Sequence, residues 1–229
     1  MKKVWIIGWL WPETTAEFYL ELVFSCKEKM SPVKPGIVIS NLPLPYSIEE
    51  DLILRNQGVE RYLPYLIEEA KRLERSWVDF IVIPCNSVHI FLEEIRKVVS
   101  IPVLSIVEET IAFFKENGFK RIWMIATSAT LEHRIYDSLI EKNSMDCITP
   151  DEFEQALIWK LILWLISWRP SNRDRNELMK IIASFEDRNV DCLALACTDL
   201  QLLIPSSDTL KVFDTMRILV DATVRELIG

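Results

Sequence analysis

The sequence predicts an α/β protein of two pseudosymmetric units, each built on a parallel sheet, with the active site in the cleft between them. Short apolar runs alternate with helical patterns along the chain, which is typical of βα units. One sequence pattern also appears twice: Val-Asp, then an apolar run, then a cysteine. It ends at Cys85 and at Cys197, with Asp and Cys six positions apart each time. Finally, each half opens with a strand followed by a threonine-bearing loop, as duplication of one unit would produce.

The first unit begins with a strand at residues 4–7, which ends at Gly8 and leads to a helix through Tyr19, Val23 and Lys27. Gly8 is a single glycine followed by Trp9, so the GxGxxG cradle for a dinucleotide is missing and we exclude NAD and FAD. Residues 36–39 predict the second strand. Residues 40–46 predict a long loop, because prolines at alternate positions cannot continue a central strand.

The first unit continues with a helix over residues 59–75, whose apolar residues recur at helical spacing. It leads to the strand at 78–83 that precedes Cys85. A helix at 90–98, a strand at 102–106 and a helix that closes at Gly118 follow. The repeated order of strand and helix predicts a parallel sheet.

The second unit begins with a strand at residues 122–125, a hydroxyl-rich loop at 126–130 and a helix through Tyr136 and Ile140. Residues 156–168 are apolar around the whole helix circumference, which predicts a buried helix or a subunit interface. A helix at 177–186, the strand before Cys197, a strand at 211–214 and a C-terminal helix follow. We assign residues 1–104 to the first unit, with 208–229 returning to it, and residues 105–207 to the second.

The composition limits which binding partners and which cellular compartment are expected. A net charge of −8 without a basic run argues against nucleic acid, and the apolar stretch at 156–168 is too short to span a bilayer and carries Lys160. We therefore expect no membrane partner and a cytoplasmic location. Five cysteines in a reducing compartment predict free thiols, and two histidines without metal-ligand spacing predict no metal site.

The two repeated cysteines carry the chemical prediction. Ligands of open α/β sheets bind at the carboxyl ends of the strands, where Cys85 and Cys197 are expected. Two thiols directed at one crevice suit proton transfer to and from opposite faces of a carbon acid. Apolar-flanked cysteines are commonly inert core residues, and we give Cys26, Cys147 and Cys192 that interpretation, whereas the duplicated context favours a catalytic role for the other two.

The motifs Pro84-Cys85-Asn86-Ser87-Val88-His89 and Ala196-Cys197-Thr198-Asp199 resemble those of the aspartate/glutamate racemase superfamily. Thr14-Thr15, the loop at 126–130 and Phe213-Asp214-Thr215 add to the resemblance, which covers essentially the whole chain. The resemblance implies an amino-acid racemase that uses Cys85 and Cys197 as acid and base without pyridoxal phosphate or metal. It also implies a homodimer and a small amino acid or related carboxylate as the substrate.

The remaining candidate residues surround the two cysteines. His89 either assists the thiol of Cys85 or is a structural group. Asp199 either takes the substrate ammonium or caps the next helix, and Trp9 and Trp11 suit the pocket wall. For Ser87 and the threonine loop, helix capping is an alternative that is compatible with binding. The groups expected to hold the substrate carboxylate and the developing negative charge are Thr14, Asn86, Ser87, Thr127, Ser128, Thr130 and Thr198.

Departures from the family pattern bear on the substrate. Trp9, Ala129 and Ala196 replace family glycines, and acidic residues at 49–51 and Trp168 stand where basic residues are expected, although Arg55 and Arg169 are near. A neutral amino acid is therefore favoured over an acidic one. A decarboxylase, a hydantoin racemase or a cis–trans isomerase of related fold, and a catalytically silent carboxylate-binding module, stay open as alternatives.

Overall fold

We describe the protein from a computed structural model. It covers residues 2–8, 12–29, 33–55, 57–75, 77–166, 172–183, 188–198, 200 and 211–229. Two four-stranded sheets lie in this part of the chain, and every strand pairing in them is parallel. The strands are β1 (Lys3–Gly8), β2 (Gly36–Asn41), β3 (Phe80–Val82), β4 (Val103–Leu104), β5 (Arg121–Ala126), β6 (Asp146–Ile148), β7 (Cys192–Ala196) and β8 (Val212–Asp214).

The first sheet has the order β2-β1-β3-β4 and the second the order β6-β5-β7-β8, so the two sheets have equivalent topologies. The α-helices are α1 (Pro12–Glu28), α2 (Tyr46–Arg55), α3 (Leu63–Glu74), α4 (Leu92–Arg96), α5 (Ile106–Glu116), α6 (Ser128–Glu132), α7 (Asp137–Lys142), α8 (Glu152–Ile166), α9 (Asn172–Ala183) and α10 (Thr215–Ile228). Short 3₁₀ helices at Val59–Tyr62 and Ser87–Phe91 precede α3 and α4. The predicted α/β class with two parallel sheets is confirmed.

The chain divides into two compact units, one formed by Met1–Glu109 with Met216–Gly229 and the other by Thr110–Thr215. Strand β8 pairs with β7 and belongs to the second sheet, and the chain re-enters the first unit through α10. The division at residues 104 and 207 that we derived from the sequence stays a prediction.

The strands form where apolar residues are fully buried. Val4, Ile6 and Ile7 of β1 and Ile122 and Ile125 of β5 have no exposed surface, as expected for parallel sheets covered on both faces. Within the described residues, no helix combines the length and hydropathy needed to cross a bilayer.

The structure differs from the sequence analysis in two places. The predicted loop at 40–46 is shorter, because Ser40 and Asn41 belong to β2 and Tyr46 begins α2. Strand β6 was not predicted, since its three residues are defined by pairing with β5. The apolar stretch at 156–168 is helical as far as Ile166, and of its described side chains only Ala156 and Lys160 are exposed, so its assignment to a buried helix or a subunit interface stays a prediction.

The repeated Val-Asp pair has a structural explanation. The Asp79 carboxylate accepts a hydrogen bond of 2.6 Å from the Lys3 N–H, and the Asp191 carboxylate accepts bonds of 2.7 and 2.8 Å from the N–H groups of Lys120 and Arg121. In each unit the Asp N–H also donates to the first strand. The duplicated aspartates therefore align β3 with β1 and β7 with β5.

This alignment gives the two cysteines equivalent places. Trp5 of β1 lies opposite Ile81, and Cys85 follows Ile81 by four residues (81 to 85). Trp123 of β5 lies opposite Leu193, and Cys197 follows Leu193 by four residues (193 to 197). Each tryptophan and its cysteine also share one buried core cluster.

Candidate active site

Cys85 lies just beyond the carboxyl end of β3, and its side chain is buried. Its N–H donates to the Ile83 carbonyl over 2.8 Å, which forms a tight turn around Pro84. The Cys85 Sγ lies 3.4 Å from the Ser87 Oγ, within hydrogen-bonding distance for sulfur. A hydroxyl at this distance can donate to the thiolate or accept from the thiol, so Ser87 can support both states of an acid–base cysteine.

Asn86 and Ser87 begin the 3₁₀ helix at Ser87–Phe91. Asn86 is buried and makes no side-chain capping bond to this helix, so its amide does not serve as a cap. Ser87 lies inside the helix and contacts Cys85, so its hydroxyl contacts the cysteine rather than acting as the N-cap.

Gly8 ends the neighbouring strand β1, and Thr14 lies in the helix α1 that follows it. A Cβ on Gly8 would lie 3.1 Å from the Ser40 carbonyl oxygen and 3.2 Å from Thr15 Cγ2, so a larger residue would force these neighbours to shift and the close approach favours glycine. Thr14 is buried in the first turn of α1. Since β1 and β3 are adjacent and parallel, their carboxyl ends bring the Thr14 and Cys85 segments to the same sheet edge.

The threonine loop lies at the equivalent edge of the second sheet, after β5. Thr127 is the N-cap of α6: its Oγ1 accepts from the Thr130 N–H over 3.2 Å and lies 2.9 Å from the Thr130 Oγ1. Both capping bonds fix the loop conformation, and Thr130 is buried. The capping interpretation of Thr127 is therefore realised in the structure.

Gln155 supports this loop and was missed by the sequence analysis. Its Nε2 donates to the Ala126 carbonyl over 3.1 Å and to the Ser128 Oγ over 3.4 Å. The only sequence signal is a single amide just before an apolar helical stretch. The contact is between residues far apart in sequence, so the pattern around Gln155 does not reveal it.

Cys197 and Thr198 follow β7, and both side chains are buried. The Cys197 carbonyl accepts the Leu200 N–H over 3.1 Å, and one strand away the Thr215 Oγ1 donates to the Leu195 carbonyl over 3.0 Å. Because β5 and β7 are adjacent and parallel, the threonine loop and Cys197 lie at the same edge of the second sheet.

The other cysteines differ from these two in their surroundings. Burial raises the pKa of Cys147 and of Cys192 to about 12, and burial also raises the pKa of Cys26. Each is therefore a thiol at neutral pH. None of the five cysteines forms a disulfide, and Cys192 lies inside strand β7, as its sequence position indicates.

Several predicted residues lie outside the described part of the chain: Trp9, Trp11, Asp199, Trp168, Arg169 and the side chains of Glu49 and Arg55. Asp51 is described, and its carboxylate accepts a hydrogen bond of 2.7 Å from the Arg61 Nη1. Among the described residues, no group of three or more His, Cys, Asp and Glu side chains is arranged to hold a metal ion.

Comparisons with known proteins agree with this fold. The chain is 25% identical over 224 residues to the broad specificity amino-acid racemase RacX of Bacillus subtilis (strain 168), which covers 96% of this chain and 95% of that protein. A crystal structure of a candidate Asp/Glu racemase from Yersinia pestis has the same fold, with a TM-score of 0.87 and 24% identity over 100% of both chains. The Picrophilus torridus aspartate racemase gives a TM-score of 0.82 at 23% identity, over 99% of this chain and 94% of that one.

The family model described as Asp/Glu/Hydantoin racemase matches residues 7–223, which is nearly the whole chain. The chain belongs to this family, and it is an isomerase of the amino-acid racemase type.

Proposed function

We propose that this protein racemises amino acids with two cysteines, Cys85 and Cys197, which act as base and acid on opposite faces of the substrate α-carbon. The observation that carries the proposal is their equivalence: each follows the same register position beyond the third strand of its unit. A catalytic pair derived from duplication of one α/β unit requires this equivalence. Cysteines that only fill the core do not have to occupy equivalent positions in the two units.

The proposed reaction moves one proton in and one proton out. One cysteine, as thiolate, removes the α-proton, and the electron pair of the broken C–H bond delocalises into the substrate carboxylate. The other cysteine, as thiol, then donates its proton to the opposite face. The two cysteines have exchanged protonation states after one turnover, and either the reverse reaction or exchange with solvent restores them.

Hydroxyl and amide groups at the two sheet edges support this chemistry. We assign the substrate carboxylate and its developing charge to Asn86, Ser87, Thr14, Thr198 and the loop residues Thr127, Ser128 and Thr130. The burial of four of them supports the assignment, because donors in a water-poor site stabilise developing charge more strongly than donors in water. These four are Thr14, Asn86, Thr130 and Thr198, whereas Ser87, Thr127 and Ser128 are half-buried. We assign Asp199 to the substrate ammonium and Trp9 to the pocket wall on the sequence alone, and the reaction so proposed uses neither pyridoxal phosphate nor metal.

We propose a neutral amino acid as the preferred substrate. A second carboxylate in a dry site is costly unless a cation meets it. The segment where the family pattern places a cation carries Glu49, Glu50 and Asp51 instead. The name of the Bacillus subtilis relative, a broad specificity amino-acid racemase, supports a substrate range beyond aspartate and glutamate.

Solvent deuterium incorporation at the α-carbon of a panel of amino acids tests the proposal. We expect incorporation with inversion, faster for neutral L-amino acids than for L-aspartate or L-glutamate. Aspartate as the clearly fastest substrate would refute the specificity. Decarboxylation, hydantoin racemisation or double-bond isomerisation without amino-acid inversion would instead identify one of the related-fold activities, and binding without turnover would identify a carboxylate-binding module.

We also propose a homodimer, as the family resemblance implies. Leu20 and Phe24 of α1 are exposed by 51% and 59%, and Val38 and Ile39 of the edge strand β2 by 41% and 42%. Exposed apolar side chains of this size on a helix and on the edge strand of a parallel sheet, whose faces are normally covered, support association. Sedimentation velocity decides this point: a mass of one chain would refute it. The cytoplasmic location stays a prediction.

A further inference from the structure

The ring of His89 is buried and both of its nitrogens are hydrogen-bonded. The Nδ1 lies 2.7 Å from the carbonyl oxygen of Cys85. The Nε2 lies 3.1 Å from the N–H of Ile106, the first residue of α5. Neither nitrogen is available to the Cys85 thiol, so of the two roles considered for His89, direct assistance to the thiol does not fit the structure.

The two partners define the protonation state of the ring. A carbonyl oxygen only accepts, so Nδ1 must carry a proton, whereas a backbone N–H only donates, so Nε2 must carry a lone pair. His89 is therefore a neutral imidazole in the Nδ1–H tautomer. The pKa of His89 is lowered to about 4, with burial as the largest cause and Arg96 of α4 contributing, while the backbone hydrogen bonds with Cys85 and Leu104 and the carboxylate of Glu108 oppose this shift.

Both ends of this contact are fixed by other bonds. On one side, the Cys85 N–H is already held by the Ile83 carbonyl. On the other side, Arg96 donates to both carboxylate oxygens of Glu108 over 2.7 Å, which fixes the first turn of α5. His89 thus joins a fixed turn at the end of β3 to a fixed helix start.

In the second unit, the carbonyl of the equivalent cysteine has a different hydrogen-bond partner. The Cys197 carbonyl accepts a backbone N–H, that of Leu200, and no histidine occupies the position four residues after Cys197. The histidine contact is therefore particular to Cys85. Cys85, His89 and Ile106 all belong to the first unit, so the contact lies within that unit.

We propose that His89 is a positioning residue, which holds the Cys85 backbone and hence its Sγ in place by donating from Nδ1 to the Cys85 carbonyl while Nε2 accepts from the start of α5. The inference rests on the proposed catalytic role of Cys85. Its expected consequence is a loss of turnover rather than of substrate binding when the contact is broken, because a misplaced base affects the chemical step.

The tautomer gives a test that needs no activity. The chain has two histidines, so a His133→Asn variant of the full chain leaves His89 as the only imidazole in the ¹⁵N spectrum. We expect a protonated Nδ1 and an unprotonated Nε2 at pH 7, unchanged down to about pH 5. An Nε2–H tautomer or a doubly protonated ring at pH 7 would overturn the proposal.

Matched variants test the consequence. Asn keeps a donor near the Nδ1 position, whereas Gln and Leu remove it, so we expect His89→Asn to retain most of kcat. We expect His89→Gln and His89→Leu to lose kcat on the order of 100-fold, with KM changed less than about twofold. His133→Asn, at an exposed site, is the control and should match the wild type.

Two further outcomes would overturn the proposal: a lower thermal stability of His89→Gln with unchanged kcat, or equal loss in the Asn and Gln variants. If His89→Leu fails to fold, the comparison of Asn with Gln carries the test. Failure of the proposed function appears differently, as undiminished racemisation when Cys85 itself is replaced.

Discussion

Replacing Ser87 by alanine should lower the reactivity of Cys85 in a measurable way. The hydroxyl lies 3.4 Å from the Cys85 Sγ, and a hydrogen bond to a charged group contributes roughly 1.5 kcal/mol at the low end of its range. We use the low end because the contact is long. Loss of this bond reduces the thiolate fraction about tenfold at neutral pH, since about 1.4 kcal/mol corresponds to a factor of ten.

The expected change in rate is smaller than the change in thiolate fraction. A thiolate that is harder to form is also more nucleophilic, with a Brønsted coefficient of about 0.4–0.5, so the rate of attack on a disulfide should fall about three- to fourfold. The assay is peptide-resolved mass spectrometry after timed exposure to a small neutral disulfide reagent at pH 7. Cys197 in the same sample is the internal control, and Ser87→Thr, which keeps the hydroxyl, is the matched variant. Unchanged or faster modification of Cys85 in Ser87→Ala would refute the reasoning.

Two further predictions concern groups away from the reaction. Asp191→Asn should lower the free energy of unfolding by about 1 kcal/mol at pH 7, a value reduced for solvent exposure, because the carboxylate accepts two backbone N–H groups. These bonds, the one from Arg121 first, lower the pKa of Asp191, so the stabilisation is present above the unfolded pKa near 3.9 and is lost as the pH falls through the folded pKa. Denaturant titrations of the wild type and Asp191→Asn at pH 7 and pH 2.5 measure the difference in the free energy of unfolding. Asp79→Asn should show a smaller difference. An equal loss of stability at both pH values would contradict the prediction. Cys147 and Cys192, whose pKa values burial raises to about 12, should react with the disulfide reagent far more slowly than Cys85 at pH 8; comparable rates would show that burial does not keep them protonated.

The sequence predicted those parts of the fold that depend on local pattern. The buried runs of β1 and β5 and the repeated Val-Asp to Cys segments were visible because each strand is apolar after its first residue and each aspartate has the same bonding role. Gly118 was predicted to end a helix, and it adopts φ of +73° two residues after α5. The sequence signal for each of these features lies within a few neighbouring residues.

Features that depend on tertiary contacts were not predictable in this way. Strand β6 exists through its pairing with β5. Helix α2 begins directly after Pro45, which the alternating prolines led us to place within a loop, and the Ile48 N–H donates to the Pro45 carbonyl over 2.9 Å.

The same limit applies to the candidate site. The contact of Gln155 with the threonine loop joins residues 29 positions apart, and the contact of His89 with Ile106 joins residues 17 positions apart. His89 was singled out from its motif, yet its role depends on which atoms face its two nitrogens.

The central claim is that Cys85 and Cys197 are the two acid–base groups, and single replacements test it most directly. Racemisation of a neutral L-amino acid should be measured by circular dichroism for Cys85→Ser and for Cys197→Ser, with substrate binding measured by calorimetry on the same samples. The account predicts that each replacement lowers kcat by at least about 1,000-fold, in the range of general acid–base contributions, while binding changes little. Racemisation at the wild-type rate by both single variants would contradict the account.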